Sequence, residues 1–237
     1  MSNIIYSALS RQSALEREFE AVANNIANAS TSGFRGERHI FSEYVNAIQG
    51  EPSLSQTRIG ARKIDESPGA LIATDGVFDV AIEGDGYFVL ETPRGERLTR
   101  AGSFLPNEEG VLTALDGAPV QGEGGSLINI PAGARSVVIS EDGVISVAGE
   151  PIAKLRIVTA KQAELAREGS SRFRAVGELT EAEAQVRQGH IEASNVSTVV
   201  ELSRLIEIQR AYEIGAQFIS QESERIERAI EVIGGRR

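Results

Sequence analysis

Cysteine is absent from these 237 residues, so no disulfide can staple the fold and no thiolate can serve as nucleophile or metal ligand. Tryptophan is absent as well, and four Tyr with eight Phe supply all the aromatic surface. That leaves few platforms on which a sugar could stack, which argues against a glycosidase built from paired carboxylates. Histidine is scarce: His39 and His190 are the only two, and neither has carboxylates at ligand spacing. No metal and no cofactor are therefore expected. Basic blocks are missing too, and 24 Lys and Arg against 34 Asp and Glu give a formal charge of -10, which opposes a phosphate backbone. Nucleic acid is not an expected partner. No apolar run approaches the roughly 20 residues that span a bilayer, so no membrane-spanning segment is expected. Met1 to Ser10 lacks the basic start and apolar core of a cleavable signal.

Motifs that would carry chemistry fail on inspection. Glu83-Gly84-Asp85-Gly86-Tyr87 lacks the Lys-Ser/Thr ending of a phosphate loop, and no helical pattern follows it. The acidic loops around Asp85, Glu108-Glu109 and Glu141-Asp142 do not match the twelve-residue calcium loop, and turn chemistry accounts for them. The expectation is a protein without catalytic residues.

What the chain does have is the same apolar repeat at both ends. Ile5, Ala8, Gln12, Leu15, Phe19, Val22, Ile26 and Ala29 advance by alternating steps of three and four, and only Gln12 interrupts the apolar run. Leu205, Ile208, Tyr212, Gly215, Ile219, Glu222, Ile226, Ala229 and Ile233 repeat that spacing, with Gly215 and Glu222 the weak positions. A narrow stripe of this kind requires a partner, and three are open: the other end of the chain, a second copy, or another protein. The first helix is expected from Ser2 or Asn3 to about Ala29, stopped by Ser30-Thr31-Ser32-Gly33. The last is expected from a capping box at Thr198 to Glu201 through Ile233, ended by Gly234-Gly235.

Between them, Phe34 to Thr74 shows poor periodicity around Gly50, Pro52, Gly60 and Pro68-Gly69, and reads as a connector with short local structure. From Asp75-Gly76 onward, short apolar pieces alternate with turn signals at Gly84 to Gly86, Pro93 to Gly95, Asn107 to Gly110, Asp116-Gly117 and Glu141 to Gly143. Ile152 to Val158 reads as one half-buried strand. The expected fold class is α+β: a 76–189 antiparallel β-rich domain, flanked by helical segments 1–35 and 190–237 that come together as a discontinuous, coiled-coil-forming domain, with 36–75 as connector.

Ala23-Asn24-Asn25-Ile26-Ala27-Asn28-Ala29-Ser30-Thr31-Ser32-Gly33-Phe34-Arg35 resembles the N-terminal signature of the flagellar rod, hook and hook-associated proteins. Gly189-His190-Ile191-Glu192-Ala193-Ser194-Asn195-Val196, followed by Ile208 to Glu213, is similar to that family's C-terminal signature. Asp79 to Phe88 and Thr99 to Phe104 resemble its shared β-domain, so the likeness covers essentially the whole chain. Ile4-Ile5-Tyr6 and Pro119 to Gly125 look most like the proximal-rod members, with the distal-rod members as the alternative. A soluble adaptor or β-domain hydrolase with helical arms is the reading from a different class.

The resemblance implies an axial subunit of the basal body, located in the periplasmic rod and exported through the flagellar type III apparatus without a cleavable signal. It implies as partners other rod proteins, proximal and distal, and copies of the chain itself. It also implies subunit contacts at Ile5, Ala8, Leu15, Phe19, Val22, Asn24, Asn25, Ile26, Asn28, Gly33 and Phe34, and at Asn195, Val196, Leu205, Ile208, Tyr212, Ile219 and Ile226.

Overall fold

The computed structural model describes residues 2–46, 54–134, 136–161, 165–182 and 184–234. The chain divides into two compact units, one from residues 1–27, 37–65 and 197–237, the other from 28–36 and 66–196. The fold is α+β with antiparallel strand pairing.

The first unit holds α1 (Ser2–Ala27), the strands β1 (Glu37–Asn46) and β2 (Leu54–Ile64), and α2 (Thr198–Gly234). Of the three partners open to the stripes, the first is realised within one chain. The helices run antiparallel against each other, and Arg204 Nη2 meets Glu18 Oε1 at 2.6 Å. Val22 and Ile208 are buried, while Ile5, Ala8, Gln12, Leu15, Ile26, Leu205, Gly215, Ile219 and Ile226 are half-buried. No helix among the described residues is long and apolar enough to cross a membrane.

The connector reading is corrected here, because residues 37–46 and 54–64 pair as the two antiparallel strands of a hairpin that packs on α1. Its strands escaped detection for a physical reason. Ile40 faces Ala61 but Phe41 faces Ile59, so Gly60 is an extra residue, and such a bulge interrupts the period of two by which a strand is recognised. The Gly50 and Pro52 signals lie outside the described residues, as does Gly235.

The second unit begins with β3 (Leu71–Ala73), β4 (Val80–Glu83), β5 (Tyr87–Thr92), β6 (Gly95–Thr99), β7 (Phe104–Pro106) and β8 (Leu112–Ala114). It continues through β9 (Val137–Ile139), β10 (Val144–Val147), β11 (Glu150–Lys154), β12 (Ile157–Thr159) and β13 (Leu165–Arg167). It closes with β14 (Arg172–Ala175), β15 (Thr180–Glu181), β16 (Gln185–Gln188) and β17 (His190–Glu192). The widest sheet has the order β13-β14-β6-β5-β12-β15, and β11-β10-β9 form another. Val80, Phe88, Leu90, Phe104, Leu112, Val120, Ile128 and Ile145 fill the core, where Phe88 and Phe104 meet edge to face at 5.1 Å.

Three sequence readings change. The turn at Gly84 to Gly86 joins strands that do not pair with each other: β4 pairs with β16, and β5 with β6 and β12. Ile152 to Val158 is two strands in two sheets, divided where the Leu155 N–H donates to Gly143 O and the Arg156 N–H to Gln121 O. Residues 190–192, placed with the C-terminal helical segment, form β17, which pairs with β3.

Candidate functional site

After α1 the chain turns through residues 28–36, in which the Thr31 N–H donates to Asn28 O and the Phe34 N–H to Thr31 O. Gly33 is held at φ 67, a left-handed conformation that a side chain disfavours. This turn seats Phe34 and Arg35 in the second unit at 1 % and 2 % exposure. It meets the segment after β17 directly. The Gly33 N–H donates to Glu192 O at 2.8 Å and the Ser32 hydroxyl to the same oxygen at 3.0 Å. The Gly36 N–H donates to Asn195 Oδ1 at 2.7 Å, and the Asn195 amide donates to Ser67 O at 2.9 Å.

The centre of this junction is charged and dry. Glu192 Oε1 lies 2.8 Å from Arg35 Nη2, and Glu192 Oε2 lies 3.2 Å from Arg100 Nε, with the three side chains 2 to 4 % exposed. The Gly69 N–H adds a hydrogen bond to Glu192 Oε1 at 2.9 Å, and a Cβ on Gly69 would fall 1.9 Å from Ala193 O. Arg35 Nη1 donates to the carbonyls of Glu66 and Ser67. Arg100 Nη2 donates to Gly84 O at 2.6 Å. Arg167 lies over the rings of Phe34 and Phe173 at 4.7 and 5.1 Å and donates to Arg35 O. Burial lowers the Arg100 pKa from its ordinary value, because desolvation outweighs the attraction of Glu192.

Tyr87 packs beside this cluster, edge to face with Phe173 and beneath the Arg100 guanidinium at 5.8 Å. Burial raises its pKa above 10.0, overcoming the pull of Arg35. A phenol whose folded pKa exceeds the unfolded one contributes stability that is fully present below pH 10.0 and is lost as pH rises through the folded pKa. The second unit should therefore weaken with pH above about 10, and Tyr87→Phe should flatten that slope, as followed by urea unfolding across the alkaline range.

The first unit has a smaller polar clasp. Asn25 Oδ1 accepts from the Glu37 N–H, and Asn25 Nδ2 donates to Glu37 O, both at 2.9 Å, with Glu201 Oε2 at 3.2 Å. Glu201, read as the closing residue of a capping box, is buried against Asn25. One amide thus ties α1 to the hairpin and to α2.

Of the sequence-selected residues, Val22, Asn25, Gly33, Phe34 and Ile208 are buried within the chain itself. Asn28, Asn195 and Val196 are half-buried, Asn24 is exposed, and Phe19 and Tyr212 are 42 % and 43 % exposed. Sequence reasoning quoted Arg35, Arg100 and Glu192 only as parts of motifs and passed over them as site residues. The available signal was a charge set among small and apolar neighbours, as in Gly33-Phe34-Arg35 and Ile191-Glu192-Ala193. His190 Nδ1 lies 3.0 Å from Gln188 O. Among the described residues, no group of three His, Asp or Glu is placed to hold a metal ion. A cleft of about 590 Å³ in the second unit is lined in part by Arg97, Glu168, Arg172 and Asp116. Its charges are internally paired, Arg97 to Glu168 at 2.6 Å and Arg172 to Asp116.

A junction that draws its residues from both ends and the middle of the chain, and seals them from water, defines a class of protein whose signature motifs hold the subunit together. Family models match at residues 5–35 (flagella basal body rod protein), 81–147 (flagellar hook protein FlgE/F/G D1 domain) and 187–232 (flagellar basal body rod FlgEFG protein C-terminal). Each matched segment contributes one member of the Arg35, Arg100, Glu192 cluster.

The chain belongs to the flagellar basal-body rod protein family. It is 35% identical over 242 residues to the flagellar basal-body rod protein FlgF of Caulobacter vibrioides, covering 99% of each chain. It is 34% identical over 246 residues to FlgF of Rhizobium meliloti, covering 100% of each. The flagellar basal-body rod protein FlgG of Bacillus subtilis is 27% identical over 260 residues, covering 97% of this chain and 98% of that one.

Proposed function

We propose that this chain is a structural subunit of the proximal part of the flagellar basal-body rod, without catalytic activity, assembled from copies of itself and other rod proteins. The reading supposes delivery by the flagellar type III export apparatus without a cleavable signal. The observation that carries it is a set of exposed apolar side chains on α2 outside the stripe that meets α1. Val199, Leu202, Ile206, Ile214 and Phe218 are 74, 44, 49, 68 and 45 % exposed. On α1, Tyr6 and Leu9 are 62 % and 46 % exposed. So much uncovered apolar surface on one helix is the mark of an interaction site. Copies that contact one another head to tail, through non-identical patches, build an open filament. Coiled-coil packing of these helices with neighbours belongs to the same proposal. Phe19, Tyr212, Ile219 and Ile226 would contribute from the rim, and Val22 and Ile208 would support the helices from within.

Ile214→Asp places a carboxylate at an exposed position of α2 and is expected to abolish rod incorporation and motility, because burial there without a partner costs several kcal/mol. The melting temperature of the free chain should stay within about 2 °C, since the side chain is in water before assembly. Ile208→Asp, at a position 5 % exposed against α1, should instead destabilise the free first unit. Normal motility with Ile214→Asp would overturn the proposal.

A further inference from the structure

Two residues that break the terminal stripes meet each other. Gln12 is the only polar member of the front stripe, and Gly215 is a glycine inside α2, where glycine is a poorer helix former than alanine. In the structure the Gln12 amide occupies the space that the missing side chain leaves. A Cβ on residue 215 would lie 2.8 Å from Gln12 Oε1 and 3.6 Å from its Cδ, and Gln12 Nε2 reaches toward Tyr212 O at 3.5 Å.

We propose that Gln12 against Gly215 is a pin that sets the register of α1 on α2. An apolar seam repeating every three and four residues is nearly indifferent to a slip of one turn, since one aliphatic side chain replaces another. The pin removes that indifference. A one-turn slip would set Gln12 against Ala211 or Ile219, where a side chain fills the slot and the amide is pressed into apolar surroundings. The Glu18 to Arg204 pair, with bonds of 2.6 and 3.1 Å, and the Asn25 to Glu201 bond at 3.2 Å lie in the same register and reinforce it. The register matters beyond the pair, because it brings Tyr6 and Leu9 of α1 to the level of Phe218 and Ile214 of α2, all exposed. The pin therefore helps to set how the two exposed surfaces line up, and it operates in the free chain whether or not the rod assignment holds.

The absence of cysteine permits a direct test with spin labels on introduced Cys pairs in the full chain. Glu16→Cys and Gln221→Cys are exposed positions set well apart along the helix pair, so a slip of one turn changes their separation by close to 5 Å. One narrow distance is expected in the labelled protein. Adding Gln12→Leu should split it into two populations while the melting temperature holds or rises, because the front stripe becomes apolar throughout. Gly215→Leu, which closes the slot from the other side, should produce the same second population. A single unchanged distance in both variants would overturn the proposal, as would the lack of any single distance in the starting protein.

Discussion

Glu192→Ala is expected to destabilise the second unit by about 3 to 5 kcal/mol, because it leaves the buried guanidinium groups of Arg35 and Arg100 without their shared carboxylate. The loss has three parts acting together. Two ion pairs vanish, the Gly69 N–H loses its acceptor, and two cations remain in a site from which water is excluded. For a unit of this size the melting temperature should fall by on the order of 10 °C, read by calorimetry or by tyrosine absorbance. The control is Glu224→Ala, whose exposed pairing with Arg228 at 3.8 Å should change stability by less than about 0.5 kcal/mol. Equal effects of the two substitutions would show that the buried cluster carries no special share of the stability. Glu192→Gln keeps the shape and one acceptor while removing the charge, so it should fall between the parent and the alanine variant.

Gly33→Ala is expected to be about as damaging, for a reason that involves no charge. The residue sits at φ 67, where an L side chain costs roughly 1 to 2 kcal/mol, and its Cβ would lie 2.2 Å from the Ala101 nitrogen. The nearby backbone cannot yield like a flexible side chain, so the turn must lift away. Lifting it withdraws Phe34 and Arg35 from their buried positions and breaks the Gly33 to Glu192 hydrogen bond. Loss of several kcal/mol should follow, with faster hydrogen exchange at the Gly33 and Asn195 amides. Protection at those amides equal to the parent's would exclude this account. Gly117→Ala tests the conformational part alone: φ is 85 there but no atom lies within 4 Å of the added carbon, so only the smaller backbone cost should appear.

The helices were legible because their information is local. Steps of three and four from Ile5 to Ile26 and from Leu205 to Ile226 need only neighbouring turns to be recognised, and the observed α1 and α2 end within two residues or so of the expected limits. Turn residues likewise marked several strand ends, as at Pro93 to Gly95 between β5 and β6. The bulge at Gly60 hid the hairpin of the first unit, since one inserted residue exchanges the faces of everything beyond it.

By itself, then, the sequence determined the α+β class, the two terminal helices, the approximate extent of the β-rich segment and the family resemblance carried by three motifs. Only the tertiary structure decided that β4 pairs with β16 instead of its neighbour, that Asn25 clasps both the hairpin and α2, and that Arg35, Arg100 and Glu192 converge. The division has a physical cause. Periodicity and turn chemistry act between residues a few positions apart, whereas burying a charge is permissible only where partners from distant segments arrive together to replace the water that is lost.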